Sequence, residues 1–563
     1  MNILGINYFF HDSSACVLVD GELVVALEEE RFTRQKHTTE FPEVAIQRCL
    51  EIAGLSYEDI DHVAVSINPG KDWFKKAIYA LKLANKALPF INHELIRGLK
   101  KQKQFRSWYS KNWRKGAGPA VHKVDHHQAH IMGSFFVSPY DRAALLSMDG
   151  SGEWSTTWLG ETDGSSFDCF SESEFPNSLG SFYETATQFC GFKPNYDEGK
   201  TMGLSPFGDP ERFFHVMDKT VRVEDDGRVS VDLSWFDYQN WGHNRFSSKY
   251  LEAFGESRKE GGAIEQHHED VAAAAQKVLE ERALEMCRIL EERSSAEHLV
   301  IAGGVSLNSV MNGRILRETR FKDIYVMPAA GDNGTSIGAA YYVHNAVLKS
   351  AKRFHHDNPY LGTEYSNAEI EKVLKESKLR YERVDDPCAA AAALLKQGKI
   401  IGWFQGRMEI GPRALGSRSI LADPTLPEMK DKINAEVKHR EAYRPFAPSC
   451  TVEAYKEYFD IDVEAPFMLK VCDVLPDKRA CLPAITHVDG SARLHTVRAE
   501  ISPRYHRMIA EFGKLSGVPV VLNTSFNVMG EPIVESPVQA VRCFYSTGLD
   551  ALVIGDFVLH KEV

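Results

Sequence analysis

A two-domain α/β protein is what this sequence predicts, on three observations. Short apolar runs recur that end in polar, glycine-bearing turns, as strands do where they present side chains at a sheet edge. Between them, residues 271–292 show an amphipathic helical pattern, with Leu279, Leu284, Met286 and Leu290 among charges and Ala272 to Ala275 small. With 563 residues the chain exceeds what one hydrophobic core organises, so two or three domains are expected.

Composition narrows the class. A hydrophobic share of 43% and a charged share of 26% are ordinary for a globular enzyme, and a net charge of −12 argues against a whole-protein preference for nucleic acid or anionic membrane. Small molecules are the expected partners. Met1 runs into a strand-like stretch without a positive or apolar leader, and no later segment reaches the ~18 apolar residues of a membrane span, so a cytoplasmic location is expected. Ten cysteines lie scattered without a C-x-x-C pair, which leaves zinc-ribbon and dithiol chemistry unsupported and points to buried free thiols.

Taken in order, residues 3–6, 15–19 and 23–28 read as a meander, with a polar turn at His11-Asp12-Ser13-Ser14 and a tight one at Asp20-Gly21. Residues 97–115 carry eight lysines and arginines and no acid, with Phe105, Trp108, Tyr109 and Trp113 interleaved. Such a segment invites a nucleic-acid reading, yet the acidic whole favours a solvated helical face or the rim of an acceptor pocket. Next comes His126-His127-Gln128-Ala129-His130. On a helix His126 and His130 share one face as a chelating pair, whereas His127 lies about 100° away and is expected to support rather than ligate. Two imidazoles are half a coordination shell, so for the pentapeptide alone packed or solvated histidines remain an equal reading. Two acids in glycine-rich turns at strand ends could complete it: Asp149 after residues 143–146, and Asp332 after residues 324–327.

The stretch from residue 143 repeats the N-terminal plan, with a further strand at 156–159 and a turn at Thr162-Asp163-Gly164. Two such halves resemble the duplicated ribonuclease-H-like architecture of the actin, sugar kinase and Hsp70 superfamily, in which a nucleotide lies between the halves. At residues 299–308 a strand runs into Gly303 and Gly304, which let backbone amides approach a nucleotide or else make a tight turn with no ligand. The helix at 271–292 is expected to pack on a sheet.

A polar, turn-rich stretch at 351–366 reads as a linker between a first domain at 1–350 and a second α/β domain at 367–563. The second is expected to have its first helix at 387–396, its first clear strand at 399–404 and its last at 551–558. Near its start a glycine-punctuated loop carries Arg407, Arg413 and Arg418; Lys438, Arg440 and Arg444 follow, and later Asn523-Thr524-Ser525. Arginines are usually surface residues, but placed among Gly, Pro and Ser their forks suit phosphates, while the neutral side chains suit a base, ribose or carbonyl.

These runs, with Glu28-Glu29-Glu30-Arg31-Phe32-Thr33-Arg34-Gln35-Lys36-His37, Asp197-Glu198-Gly199-Lys200-Thr201-Met202-Gly203-Leu204 and the histidine pentapeptide, resemble the O-carbamoyltransferase family, which includes the nodulation-factor, cephamycin and tobramycin carbamoyltransferases. The resemblance runs from Gly5 to Gly555. It implies a first domain similar to the tRNA threonylcarbamoyltransferase and a second similar to the enzyme that makes threonylcarbamoyl-adenylate. It also implies that the second domain forms carbamoyl-adenylate from carbamoyl phosphate and ATP, the latter with Mg. A small-molecule hydroxyl, on a natural product, an antibiotic or a sugar, then takes the carbamoyl group in the first domain and expels AMP.

Carried over by position, the resemblance implies His126, His130, Asp149 and Asp332 as ligands of a divalent metal, a set that fits Fe(II) and by ligand type also accepts Zn(II) or Mn(II). It implies His11 as the group that deprotonates the acceptor and Lys36 as a lysine that contacts it. Gly199, Lys200, Gly303, Gly304 and Asn308 are implied to line the adenylate. Arg413, Arg444 and Asn523 are implied to bind nucleotide in the second domain, helped by Arg407, Lys438 and Arg493. Residues 97–115 have no counterpart in the antibiotic-tailoring enzymes, so no acceptor identity carries over. A homodimer is left open, and neither nucleic acid nor membrane is expected as a partner. A sugar kinase of the same superfamily would need neither the arginine-rich domain nor the histidine pair. The tRNA enzyme is similar only to the first half, and the hydrogenase-maturation carbamoyltransferases add zinc-finger cysteines. A nucleotide-dependent binding or regulatory protein is the non-catalytic alternative.

Overall fold

A computed structural model describes residues 1–113, 118–164 and 166–561, so Arg114 and Lys115 of the basic stretch lie outside the described residues. The chain divides into two compact units, one of Met1–Glu29 and His37–His356, the other of Glu30–Lys36 and Asp357–Val563.

The first unit holds two five-stranded sheets of one plan. In the first, β1 (Asn2–Asn7), β2 (Ser14–Val19) and β3 (Glu22–Glu28) are antiparallel, and β4 (His62–Val65) and β5 (Ala120–Lys123) extend the far side of β1 in parallel. In the second, β6 (Ala143–Met148), β7 (Ser155–Thr162) and β8 (Phe167–Glu174) are antiparallel, and β9 (His298–Ala302) and β10 (Asp323–Val326) extend β6 in parallel. This is the ribonuclease-H-like plan twice over, as the repeated strand-and-turn pattern predicts. The central strands β1 and β6 are buried almost throughout, which is why they read as continuous apolar runs rather than as alternating ones.

Two helices connect the sheets. The His126–Phe136 helix packs on β6, and the Thr335–Tyr341 helix packs on β1. They cross at two glycines: a Cβ on Gly133 would lie 2.2 Å from Gly338 Cα, and one on Gly338 would lie 1.7 Å from the Ala129 carbonyl oxygen. The Gln266–Arg293 helix departs from expectation. It packs chiefly on other helices, Leu179–Phe189, Glu198–Leu204, Glu211–Met217 and Ser309–Glu318, and only touches β6 and β7. Its buried positions include Asp270, Gln276, Glu280 and Arg282, so it is enclosed on several sides instead of lying on a sheet by one stripe.

The second unit is built on an eight-stranded mixed sheet whose spatial order is Glu382–Arg383, Phe557–His560, Ala551–Ile554, Ile401–Phe404, Arg418–Ala422, Val520–Ser525, Ala447–Thr451 and His495–Val497. The Pro387–Lys396 helix forms as predicted and packs with Pro503–Ser516 over a core that includes Trp403, Leu421, Val521 and Val553. It is not the unit's first helix. Asn367–Glu376 precedes it, started by a reciprocal capping box between Ser366 and Glu369. The expected last strand at 551–558 is a hairpin, because Gly555 adopts φ +55° and reverses the chain. Glu30–Lys36, expected in the first domain, belongs to this unit. The buried Arg31 donates to the Gly411 carbonyl at 2.7 Å, and Arg34 donates to those of Pro532 and Ile533 at 2.6 and 2.8 Å. All ten cysteines are free thiols, and no helix among the described residues is long and apolar enough to cross a membrane.

Candidate functional site

In the first unit the end of β6 faces the start of the His126–Phe136 helix. Buried Glu153 accepts hydrogen bonds from the backbone N–H of His126 at 3.1 Å and of Asn68 at 2.7 Å, so a carboxylate closes the helix N-terminus, where the dipole favours negative charge. With that turn fixed, His126 and His130 point to one place, their Nε2 atoms 3.0 Å apart. Asp149 Oδ2 lies 3.1 Å from His126 Nε2 and 3.7 Å from His130 Nε2, and Asp332 Oδ1 lies 3.3 Å from each. His126, His130 and Asp332 are buried, and the Asp149 side chain is 14% exposed. A tetrahedral centre with bonds of about 2.1 Å has ligand-to-ligand edges of about 3.4 Å, so these atoms fit one divalent first-row cation.

Protonation follows the same geometry. Burial opposes charge on His126, yet Asp332 and Asp149 outweigh it and hold the imidazole well above its usual range. Asp149, against its own burial, is pulled well below the carboxylate range by His126 and His130. A cation here competes with those protons, so its affinity rises with pH. His127 points elsewhere, to Ser147 Oγ at 2.9 Å and the Ser155 carbonyl at 3.0 Å, and burial pushes it down to about 3, a neutral supporting residue.

The paired glycines serve the centre directly. Gly303 sits at φ +88°, where a Cβ would come within 2.3 Å of the Met148 carbonyl oxygen, and the Gly304 N–H donates to Asp149 Oδ1 at 3.1 Å. Expected to line an adenylate, Gly304 thus spends its amide on orienting a carboxylate. Asn308 is similarly committed: it caps the Ser309–Glu318 helix by accepting from the Met311 N–H at 3.0 Å, and it exchanges hydrogen bonds with Gln276 at 2.9 and 3.0 Å. Gly199 stays available, since a Cβ there would meet nothing within 4 Å, and Lys200 beside it lies 3.1 Å from Asp197.

Three contributors escape a reading of the sequence. Buried Asn7 donates from Nδ2 to the carbonyls of His11 and Asp12, at 3.1 Å each, and of Asp332 at 2.9 Å, tying the first turn to the turn that carries Asp332. Asp12 joins two imidazoles: His11 Nδ1 lies 2.9 Å from its Oδ2, and His37 Nδ1 lies 2.7 Å from its Oδ1. The adjacent His11-Asp12 carried a hint of this. His37, 25 residues on, carried none. Burial disfavours charge on His11, but Asp332, Asp12 and Asp149 raise it to about 10. A divalent cation among those aspartates would offset their field and bring His11 back towards its ordinary range.

The second unit gathers positive charge. Burial and Arg444 lower Arg413 to about 10, burial and Arg444 lower Arg440 to about 9, and burial with Arg413, Arg440 and Arg444 lowers Arg493 further still from its ordinary range. Guanidiniums that depress one another in this way are close neighbours, and a polyanion among them would relieve their repulsion. Arg440, read from the sequence as suited to phosphate but not among the positions the resemblance implies, belongs to this cluster. Buried Asn523 donates to the Ala414 carbonyl and Ser449 Oγ, both at 3.0 Å, while its Oδ1 has no partner among the described residues. Two expected helpers are occupied otherwise. Lys438 Nζ is held by Ser525 and by both oxygens of Asn527, at 3.0 and 2.7 Å, and Arg407 donates to the carbonyls of Leu361 and Gly362 at 2.9 and 3.2 Å. Exposed Lys36 adds to the positive field that burial and neighbouring cations set at Lys438.

The Carbamoyltransferase N-terminus family model matches residues 2–341 and the Carbamoyltransferase C-terminus model residues 392–561. The chain is 38% identical to an uncharacterized protein of Synechocystis sp., over 100% of this chain and 97% of the other. It is 36% identical to nodulation protein NolNO of Sinorhizobium fredii, over 99% of this chain and 80% of that protein. It is 31% identical to 3'-hydroxymethylcephem-O-carbamoyltransferase of Streptomyces clavuligerus, over 65% of each.

Proposed function

The chain belongs to the carbamoyltransferase family, and from that premise we propose that it is an ATP-dependent O-carbamoyltransferase working in two half-reactions. In the second unit, carbamoyl phosphate, ATP and one water give carbamoyl-adenylate, phosphate and pyrophosphate. The observation that carries this reading is the cluster of Arg413, Arg440, Arg444 and Arg493, a polyanion site that transfer alone would not need. Asn523 Oδ1, a buried acceptor, is available to an N–H of the nucleotide or of the carbamoyl group.

In the first unit an acceptor hydroxyl attacks the carbamoyl carbon; the new C–O bond forms as the bond to the AMP oxygen breaks. His11 takes the hydroxyl proton, with Asp12 holding Nδ1 so that Nε2 faces the reaction. His126, His130, Asp149 and Asp332 would hold a divalent metal, proposed as Fe(II), whose Lewis acidity would polarise the carbamoyl group or the adenylate phosphate. Gly199 and Lys200 are proposed to meet the adenylate. The name of the cephem relative points to a hydroxymethyl acceptor for that enzyme; a small natural product or sugar alcohol is the acceptor class proposed here.

Release of AMP and pyrophosphate and formation of product can be followed separately. Arg413→Ala should abolish ATP cleavage, whereas His130→Ala should spare ATP cleavage and stop transfer. Equal loss of both activities in both variants would end this division of labour.

A further inference from the structure

Between β4 and β5 the first unit carries a helical excursion that the transfer chemistry does not use. It contains the helices Trp73–Leu83, Ala87–Ile91 and Gly98–Asn112, successive segments packed on one another. Its inner side is aromatic. Trp108 is only 4% exposed and packs with Phe41, Tyr57 and Trp113, while Phe105 stacks on Tyr8 at 5.5 Å. Lys101 donates to the Tyr8 carbonyl at 3.0 Å, so the excursion sits on the residues that lead into His11.

The outer side reverses the pattern of an ordinary surface helix. Trp73, Phe74, Ile78 and Leu81 line one stripe of the first helix and face outward, Trp73 at 67% and Leu81 at 81% exposure. Leu88 is 75% exposed, and Ile96 and Leu99 continue the apolar surface. Around them Lys82, Lys86, Arg97, Lys100 and Lys103 are exposed and make no ion pair among the described residues. Residues 71–113 hold eleven lysines and arginines against two acids, in a chain whose net charge is −12.

We propose that this face is a membrane-association surface that lies on an anionic lipid bilayer. The apolar side chains enter the headgroup boundary, and the surrounding cations meet lipid phosphates. Charge complementarity and shape both select this occupant. Ile78, Leu81, Leu88, Ile96 and Leu99 are aliphatic and offer nothing for a base to stack on. Trp73 and Phe74 are the aromatics on this face, adjacent at one end of the first helix, and Trp108 and Trp113 face inward, so no row of stacking platforms tracks a single-stranded nucleic acid. An aliphatic face with aromatics at one end suits a headgroup boundary. Net charge, from which no membrane partner was expected, is an average over the chain. A bilayer senses only charges within about a Debye length, ~10 Å at ordinary salt.

Co-sedimentation of the full chain with vesicles tests this. The protein should pellet with phosphatidylglycerol/phosphatidylcholine vesicles, far less with phosphatidylcholine alone, and less at high salt. Replacing Lys100 and Lys103 together by alanine should weaken binding by about 25-fold, roughly fivefold for each cation removed. Leu81→Asp with Phe74→Asp should also release the protein, with circular dichroism and melting temperature unchanged because both sites are exposed. Failure to pellet with anionic vesicles, or undiminished binding by both double variants, overturns the proposal. So does tighter binding to an oligonucleotide that the same variants abolish.

Discussion

His495 illustrates how surroundings, rather than residue type, set the chemistry of a side chain. It is buried, 2.9 Å from Ser449 Oγ and stacked near Tyr505, and burial lowers it from 6.5 to about 3. Because the unfolded chain takes up this proton first, the stability His495 contributes is present above pH 6.5 and lost as pH falls from there towards about 3. Urea midpoints measured across that window should fall with a contribution of about 1.4 kcal/mol per pH unit, and His495→Asn should remove it. His126, His130, Asp149 and Asp332, the group able to hold a metal, were readable from sequence because their signals are local: an i, i+4 pair and two carboxylates in glycine turns. Asn7 and His37 were not, since their partners, Asp332 and Asp12, lie 325 and 25 residues away. Nor could the sequence tell that Lys438 spends its amino group on Ser525 and Asn527.

Among the elements, the crossing of the His126–Phe136 and Thr335–Tyr341 helices holds the centre in register. One carries His126 and His130 and the other directly follows Asp332. Gly338→Ala places a methyl group against the Ala129 carbonyl, so the helices must separate. The expected outcome is destabilisation by about 1–3 kcal/mol and loss of bound metal, read by elemental analysis of the folded protein. Unchanged metal content would show that the crossing is not needed. Ser366→Ala should cost about 1 kcal/mol through the lost cap of Asn367–Glu376 and leave both half-reactions intact, a contrast that calorimetry beside activity assays would reveal. That helix was missed although Ser366 and Glu369 are a legible capping signal, because the polar stretch before it reads as linker. The hairpin at 551–560 was missed for the opposite reason: its two strands are apolar, and only the φ of Gly555 divides them.

For the whole molecule, activation and transfer are proposed to reside in separately cored units. Chelator-treated protein returned to Mg²⁺ should therefore keep carbamoyl-phosphate-dependent ATP cleavage and lose carbamoyl transfer, with Fe(II), Zn(II) and Mn(II) then compared for its restoration. Loss of ATP cleavage under the same treatment would place the first-unit centre in both steps. The repeated strand-and-turn plan and the residues able to bind a metal were legible in the sequence because they rest on periodicity and local motifs, and the family was legible through the resemblance of motifs along the whole chain. Long-range packing assigned Glu30–Lys36 to the second unit, brought Arg413, Arg440, Arg444 and Arg493 within one another's field and turned the apolar side chains of a helical excursion outward. Those outcomes depend on which distant groups meet and which remain in water, and burial and long-range contact set both.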